Sequence, residues 1–206
     1  MAKILNVIGN GKSASLYEKA KNGGATYTCN LPGFNIPEAK ATFMVDFKMM
    51  NAIDEGSVIV PGEWILGKRP QMWCEQKPNF YLKYAPQIKE FYTTLPKYVA
   101  NYTDLSCGHM AVHYCANKLK ADEIHMFGFD SIFDFDLYSS TDFYLGSDRG
   151  VQNNARLTNN WRPVWGNMWK EFSNTKFVLY HFHDNVKVKL PDNVEVVVIE
   201  KNKKKK

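Results

Sequence analysis

Short apolar runs alternate with stretches of helical period along most of the chain. Residues 3–8 are a run of β-forming side chains, glycines break it, and Ser13-Ala-Ser-Leu-Tyr-Glu-Lys-Ala then carries a helical pattern. The chain therefore opens as strand, tight turn, helix. Residues 25–30 predict a second strand closed by the turn residues Leu31-Pro32-Gly33, residues 41–46 a third and residues 57–61 a fourth. Between residues 62 and 103 the pattern weakens, because Pro70, Pro78, Pro86 and Pro96 interrupt any long helix, and the segment reads as an excursion from the core. A helix returns over residues 108–120, where Met110, Ala111, Tyr114, Cys115 and Leu119 share a face. Residues 123–128 predict a strand ending in glycine, 163–172 a helix, and 176–182 and 194–199 the last two strands. Residues 131–162 are rich in Asp, Ser, Asn and Gly and read as a long loop or lid.

Strands that alternate with helices predict an α/β fold: a Rossmann-like, mostly parallel sheet with helices on both faces. The expected organisation is a single domain over residues 1–200 followed by a basic tail, residues 201–206. In such sheets ligands bind beyond the carboxyl ends of the strands, near the point where strand order reverses. Attention falls on the loops after Ile8, Cys29, Val45, Leu105 and Phe127.

Composition narrows the partners. The net charge of +5 would suggest nucleic acid, but five of the 26 basic residues lie in the last six positions, so the body is close to neutral. A terminal lysine run is read first as a solvated tail, and second as electrostatic help toward a polyanion. The four cysteines show no CxxC spacing, and the start of the chain runs directly into an apolar strand, so reduced thiols and a cytoplasmic location are expected. No apolar run approaches the ~20 residues of a membrane span, which argues against membrane insertion.

Three loops carry the candidate chemistry. Gly9-Asn10-Gly11-Lys12-Ser13 lets backbone approach a ligand closely, and the helix start behind it offers N–H groups to an anion; the plainer reading is a strand-helix turn capped by Ser13. Ser106-Cys107-Gly108-His109-Met110 is again a set of small residues ahead of a helix, with His109 as a cap, a buried imidazole or a catalytic group. Asp130 follows the strand ending at Gly128 and Asp46 follows the third strand; each suits a ribose contact, a general base or an ordinary cap. His181 and His183 alternate and so face one side, a pattern that suggests metal, yet no third ligand stands at recognisable spacing and no metal is assigned. Asp134, Asp136, Asp142 and Asp148 match no calcium loop and read as a solvated acidic segment. Neither GxSxG nor HExxH is present.

Taken in order, these loops resemble the bacterial sialyltransferases of the Campylobacter type and the wider group of sialyltransferase-like and motility-associated glycosyltransferases. Ile8–Ser13 is similar to their GNGPS loop, Cys29-Asn30 to their CN pair, residues 39–43 to the strand start that follows, residues 106–111 to their TSG helix start, and residues 121–130 to their KEIYLSGID strand. The resemblance implies a single Rossmann-like domain in which Asn10, Gly11, Ser13, Asn30, Cys107 and Gly108 hold a cytidine-type nucleotide sugar under a lid that follows Asp130. Gly9, Lys12 and Ser106 complete the expected nucleotide-binding set. It further implies catalysis without a resident cofactor. Two departures stand out. The family's general-base histidine beyond the lid has no counterpart, since no histidine lies between His125 and His181, so Asp130, Asp46 or His109 must take that role. Lys12 replaces the proline of the first loop and adds a positive charge beside a phosphate.

The expected activity is transfer of a sugar from a nucleotide sugar to a hydroxyl acceptor: a glycan, a small molecule or a modified base in DNA, so that nucleic acid is a candidate partner. One alternative is pyrophosphate transfer, as in hydroxymethylpterin pyrophosphokinase-like proteins, with Mg²⁺ held by Asp46 or Asp130. The other is a nucleotide-binding protein without turnover.

Overall fold

The apolar run at the start of the chain forms strand β1 (Ile4–Ile8), whose last four residues are buried on both sides. Continuous burial of this kind marks a strand covered by layers above and below. In this computed structural model, which describes residues 1–145 and 155–200, the pattern recurs in β2 (Ala25–Cys29), β3 (Ala39–Met44), β6 (Glu123–Phe127) and β7 (Lys176–His181). With β4 (Trp64–Leu66), β5 (Ile88–Phe91) and β8 (Val194–Val198) they make one eight-stranded sheet in the order β5-β4-β3-β2-β1-β6-β7-β8. Every adjacent pair is parallel, so the mostly parallel, Rossmann-like α/β arrangement expected from the pattern is what forms.

Helices cover both faces. On one face α4 (Cys107–Asn117) and α6 (Arg162–Glu171) bury Met110, Val112, Trp165 and Trp169 against Val7, Phe43, Ile124 and Phe177. On the other, a 3₁₀ helix (Lys12–Lys19) packs Leu16 and Tyr17 over Ile8, Phe127 and Val178. Beside it, α1 (Phe47–Asp54), α2 (Lys68–Gln76) and α3 (Pro78–Tyr84) close over Met44, Trp64 and Leu66. The two apolar clusters of this second face are separated by buried Asn6, Thr26, Thr28 and Thr42, which satisfy one another: Asn6 Nδ2 donates to Thr26 Oγ1 at 3.3 Å, and the Thr28 and Thr42 hydroxyls meet at 2.8 Å.

Strands β1 to β5 step outward on one side, and β6 then returns to the free flank of β1. The order reverses between β1 and β6, and the crevice beyond their carboxyl ends is where a ligand has room to enter.

Three expectations need correction. Residues 57–61 are not a strand: Val58 and Val60 are buried and Ile59 is 84% exposed, but Pro61 offers no N–H and Gly62 turns the chain at φ +79°. The strand starts after that turn, at Trp64, whose indole donates back to Val60 O at 3.1 Å. Residues 62–103 are accordingly no excursion; they build β4, α2, α3 and β5, and their prolines sit where helices tolerate them, Pro70 in the first turn of α2 and Pro78 at the start of α3. The segment 131–162 is not wholly a loop. It begins inside a 3₁₀ turn (Asp130–Ile132), holds the single turn α5 (Asp142–Leu145), and ends in a π turn (Leu157–Trp161) that runs into α6. Its centre, residues 146–154, and the basic tail lie outside the described residues.

The crevice depends on how closely two loops approach. Gly128 has φ +78°, and a Cβ there would lie 2.8 Å from Gly9 O and 2.9 Å from Ala14 Cβ. Gly56 has φ +75° with open space around it. Gly128→Ala is expected to cost about 3 kcal/mol, strain plus overpacking, against about 1 kcal/mol for Gly56→Ala, strain alone, in urea unfolding. Equal losses would show that the contact between the loops contributes nothing.

Candidate functional site

At the reversal point lies a cleft of about 190 Å³. Its floor is Gly9, Gly11 and Gly128, and its walls come from Asn30, Asp46 and Arg69 on one side and from Ser106, Cys107 and Gly108 on the other. Tyr138, Arg156, Trp161 and Trp165 also line it.

The first loop is built differently from its expected anion-binding form. Gly9 N donates to Phe127 O at 2.7 Å, Gly11 N to Gly128 O at 3.0 Å, and Ser13 N to Asp130 Oδ1 at 3.2 Å. These amides serve the protein and not a ligand. Both glycines are required by this packing, since a Cβ on Gly9 would lie 2.7 Å from Gly128 O and one on Gly11 2.6 Å from the Asp130 carboxylate. Ser13 is fully buried; its hydroxyl donates to Asp130 Oδ1 in a very short bond and accepts from Gly128 N at 3.1 Å. Asn10 Nδ2 reaches Leu31 O at 2.9 Å and Ser140 Oγ at 3.2 Å, tying the loop to the β2–β3 connection and to the expected lid segment. Lys12 is exposed, with its ammonium 5.5 Å from the centre of the Tyr138 ring.

Donors stay open in the second loop. Ser106 caps α4: its hydroxyl accepts from His109 N at 3.2 Å while His109 Nδ1 accepts from Ser106 N at 3.0 Å, a capping box. The box leaves the amides of Cys107 and Gly108, at the first turn of an eleven-residue helix, with no protein acceptor among the described residues. The helix dipole favours an anion there. The Cys107 thiol points the other way and donates to Phe43 O at 2.9 Å; burial pushes its pKa well up, and it is no nucleophile. Cys29, Cys74, Cys107 and Cys115 are all free and buried.

Opposite stands Asn30 at φ +49°, its Oδ1 buried without a hydrogen-bond partner. A buried acceptor left unmet costs about 1–3 kcal/mol and calls for a donor from water or a ligand. Arg69 shows the same incompleteness: Nη2 pairs with Asp46 Oδ1 at 2.5 Å, while Nε is buried and unmet.

The structure therefore gathers nine of the expected residues around one cleft: Gly9, Asn10, Gly11, Asn30, Asp46, Ser106, Cys107, Gly108 and Asp130. Lys12, Ser13 and His109 lie outside its lining, Ser13 beneath the floor and His109 behind the α4 cap. His109 is fully buried against Trp165, 4.3 Å between ring centres, and its Nε2 meets Trp161 O at 3.1 Å. Arg69, Arg156, Tyr138, Trp161 and Trp165 were missed. Arg69 follows the carboxyl end of β4, so placing that strand at residue 64 would have exposed it. Comparison with protein-family models, curated proteins and solved structures finds no match. Among the described residues no helix is long and apolar enough to cross a membrane.

Burial pushes the pKa of His109 from 6.5 down to about 3, so it is neutral at pH 7. A lowered folded-state value means its contribution is whole above pH 6.5 and drains as the pH falls toward about 3. The stability advantage of the wild type over His109→Asn, from urea midpoints, is expected to shrink by about 1.4 kcal/mol per pH unit below that point. An advantage constant from pH 7 to 4 would contradict a neutral buried imidazole.

Proposed function

We propose that this protein is a glycosyltransferase that binds a nucleotide sugar in the cleft between β1 and β6 and passes the sugar to a hydroxyl acceptor. The observation that carries the reading is the buried, unmet Oδ1 of Asn30 in the wall of a cleft whose lining also includes Cys107 and Gly108, the residues of the two open α4 amides. A nucleotide offers the complement of both: sugar or base donors for Asn30 and phosphate oxygens for Cys107 N and Gly108 N. Arg69 and Arg156 add positive charge toward a phosphate, and the Tyr138, Trp161 and Trp165 rings suit a base or sugar face.

In the transfer, the acceptor oxygen forms a bond to the anomeric carbon as the bond from that carbon to the phosphate oxygen breaks. The departing phosphate keeps the electron pair, and α4 with the arginines stabilises its charge. The acceptor proton needs a base. Among the described residues the cleft holds two carboxylates, Asp46 and Asp130. Asp130 is buried and bound to Ser13, whereas the Asp46 side chain is 43% exposed, so Asp46 takes the role. His109, sealed behind the cap and neutral, is a positioning residue for α4. The magnesium-dependent phosphoryl transfer would need carboxylates that are here engaged by Arg69 and Ser13. That same engagement favours one second reading, a nucleotide-binding protein without turnover.

Calorimetry of the chain against CMP, CDP, UDP, GDP and ADP, followed by donor-consumption assays with the sugar nucleotide of whichever binds, tests the proposal. One nucleotide is expected to bind without Mg²⁺, with Asn30→Ala and Arg69→Met each weakening it at least tenfold, about 1.4 kcal/mol. Asp46→Asn is expected to keep binding within a few-fold and lose turnover by 10²-fold or more. Binding by none of the five would overturn the nucleotide premise; binding with no consumption of any sugar donor would leave the non-catalytic reading.

A further inference from the structure

Behind Asp130, outside the cleft lining, the chain brings together three side chains that the sequence left apart. His181 and His183 project from the end of β7 to one side, and Asp134 reaches them from the loop after the 3₁₀ turn. His181 Nε2 lies 3.0 Å from Asp134 Oδ2, His183 Nε2 lies 2.8 Å from Asp134 Oδ1, and the two Nε2 atoms are 3.2 Å apart. We propose that Asp134, His181 and His183 bind a divalent first-row transition ion, of the Zn²⁺ or Fe²⁺ class, as a two-histidine, one-carboxylate face.

The spacing suits that ion. With metal–ligand distances of about 2.1 Å, the edge of an octahedral face is about 3.0 Å and that of a tetrahedral one about 3.4 Å. The two Nε2 atoms, 3.2 Å apart, fall between these values, and each contacts a different oxygen of the Asp134 carboxylate, at 3.0 and 2.8 Å, so one carboxylate completes a site with both rings. Two imidazoles with one carboxylate select Zn, Fe, Co or Ni over Mg and Ca, which prefer oxygen.

Protons alone satisfy the cluster poorly. A neutral imidazole carries one N–H. Asn185 N donates to His183 Nδ1 at 3.2 Å, so the His183 proton sits on Nε2 and points at Asp134. If His181 also donates from Nε2 to Asp134, its Nδ1 is left buried with no hydrogen-bond partner. A cation at the centre reverses this. It takes the Nε2 lone pairs of both rings and moves the proton of His181 to Nδ1, which faces Asp130 Oδ1 at 3.7 Å. That contact is longer than a hydrogen bond, and a shift of about 0.5–1 Å would make it the carboxylate support common for metal-bound histidines. His183 must likewise carry its proton on Nδ1 and release Asn185 N, an exposed amide that solvent satisfies.

The carrier segments are held in place. Asp134 N donates to Asp130 O at 2.8 Å, Arg162 donates to Ser131 O at 3.0 Å and to Asp134 O at 3.1 Å, and Lys187 N donates to Ile132 O at 2.9 Å. The guanidinium of Arg162 is thus spent on backbone carbonyls and on the Phe135 ring, 4.4 Å from its centre. Phe133 stacks on His181 at 4.1 Å with 15° between planes and fixes the ring. His181 is buried, while the His183 and Asp134 side chains, 41% and 35% exposed, leave a path for the ion.

The test uses the tag-free full chain, stripped with chelator, and needs no nucleotide, so it stands or falls apart from the transferase reading. Zn²⁺ titrated by calorimetry is expected to bind once per chain, Co²⁺ to give a visible d–d band that Zn²⁺ abolishes, and Mg²⁺ to give neither. His183→Ala and Asp134→Asn, each checked for an unchanged far-ultraviolet circular dichroism spectrum, are expected to weaken Zn²⁺ at least tenfold. Absence of one-to-one Zn²⁺ binding in the wild type, or affinity unchanged in both variants, would overturn the proposal.

Discussion

The contact on which the site depends is the clamp between Ser13 and Asp130. A buried carboxylate at the carboxyl end of β6 receives both the amide and the hydroxyl of a serine beyond β1, and the same hydroxyl accepts from Gly128 N. A charge taken out of water in this way must be hydrogen-bonded, so the two loops have no freedom to separate. Their closeness dictates the glycines, because backbone meets backbone at Gly9 and Gly128 and carboxylate meets backbone at Gly11. It also consumes three amides of the first loop, those of Gly9, Gly11 and Ser13. One element away, on α4, the Cys107 and Gly108 amides have no protein acceptor among the described residues.

Most of the fold was legible because parallel strands buried on both faces read as largely apolar runs, as residues 4–8, 123–127 and 176–181 do, with Asn6 and His125 their only internal polar positions. The failure at residues 57–61 has a plain cause. Val58 and Val60 are as buried as strand residues, and nothing in composition distinguishes an extended segment packed under α1 from one paired in the sheet. The real β4 is three residues long, too short to carry a periodicity. Prolines at 70 and 78 looked like interruptions and are helix starts.

The candidate site was legible as a set of loops and not as a set of roles. Gly9 and Gly11 suggested ligand approach, whereas their glycine character answers to Gly128 and Asp130 across the crevice, contacts more than a hundred residues apart in sequence. Asn30 was found by its place after a strand, and its buried, unmet oxygen is visible only in three dimensions. His181 and His183 showed their alternation, but Asp134 stands nearly fifty residues earlier, a separation no ligand-spacing rule captures. Asp134 touches His181, His181 lies 3.7 Å from Asp130, and Asp130 holds Ser13 under the first loop.

The central claim is that α4, and not the amides of Gly9, Gly11 and Ser13, meets the ligand phosphate. Amide chemical shifts from ¹⁵N-labelled protein during titration with the nucleotide that binds test it most directly. The account predicts that the Cys107 and Gly108 amides shift downfield as new hydrogen bonds form, while Gly9, Gly11 and Ser13, already bonded within the protein, move little. Large shifts confined to Gly9, Gly11 and Ser13, with Cys107 and Gly108 unmoved, would contradict it.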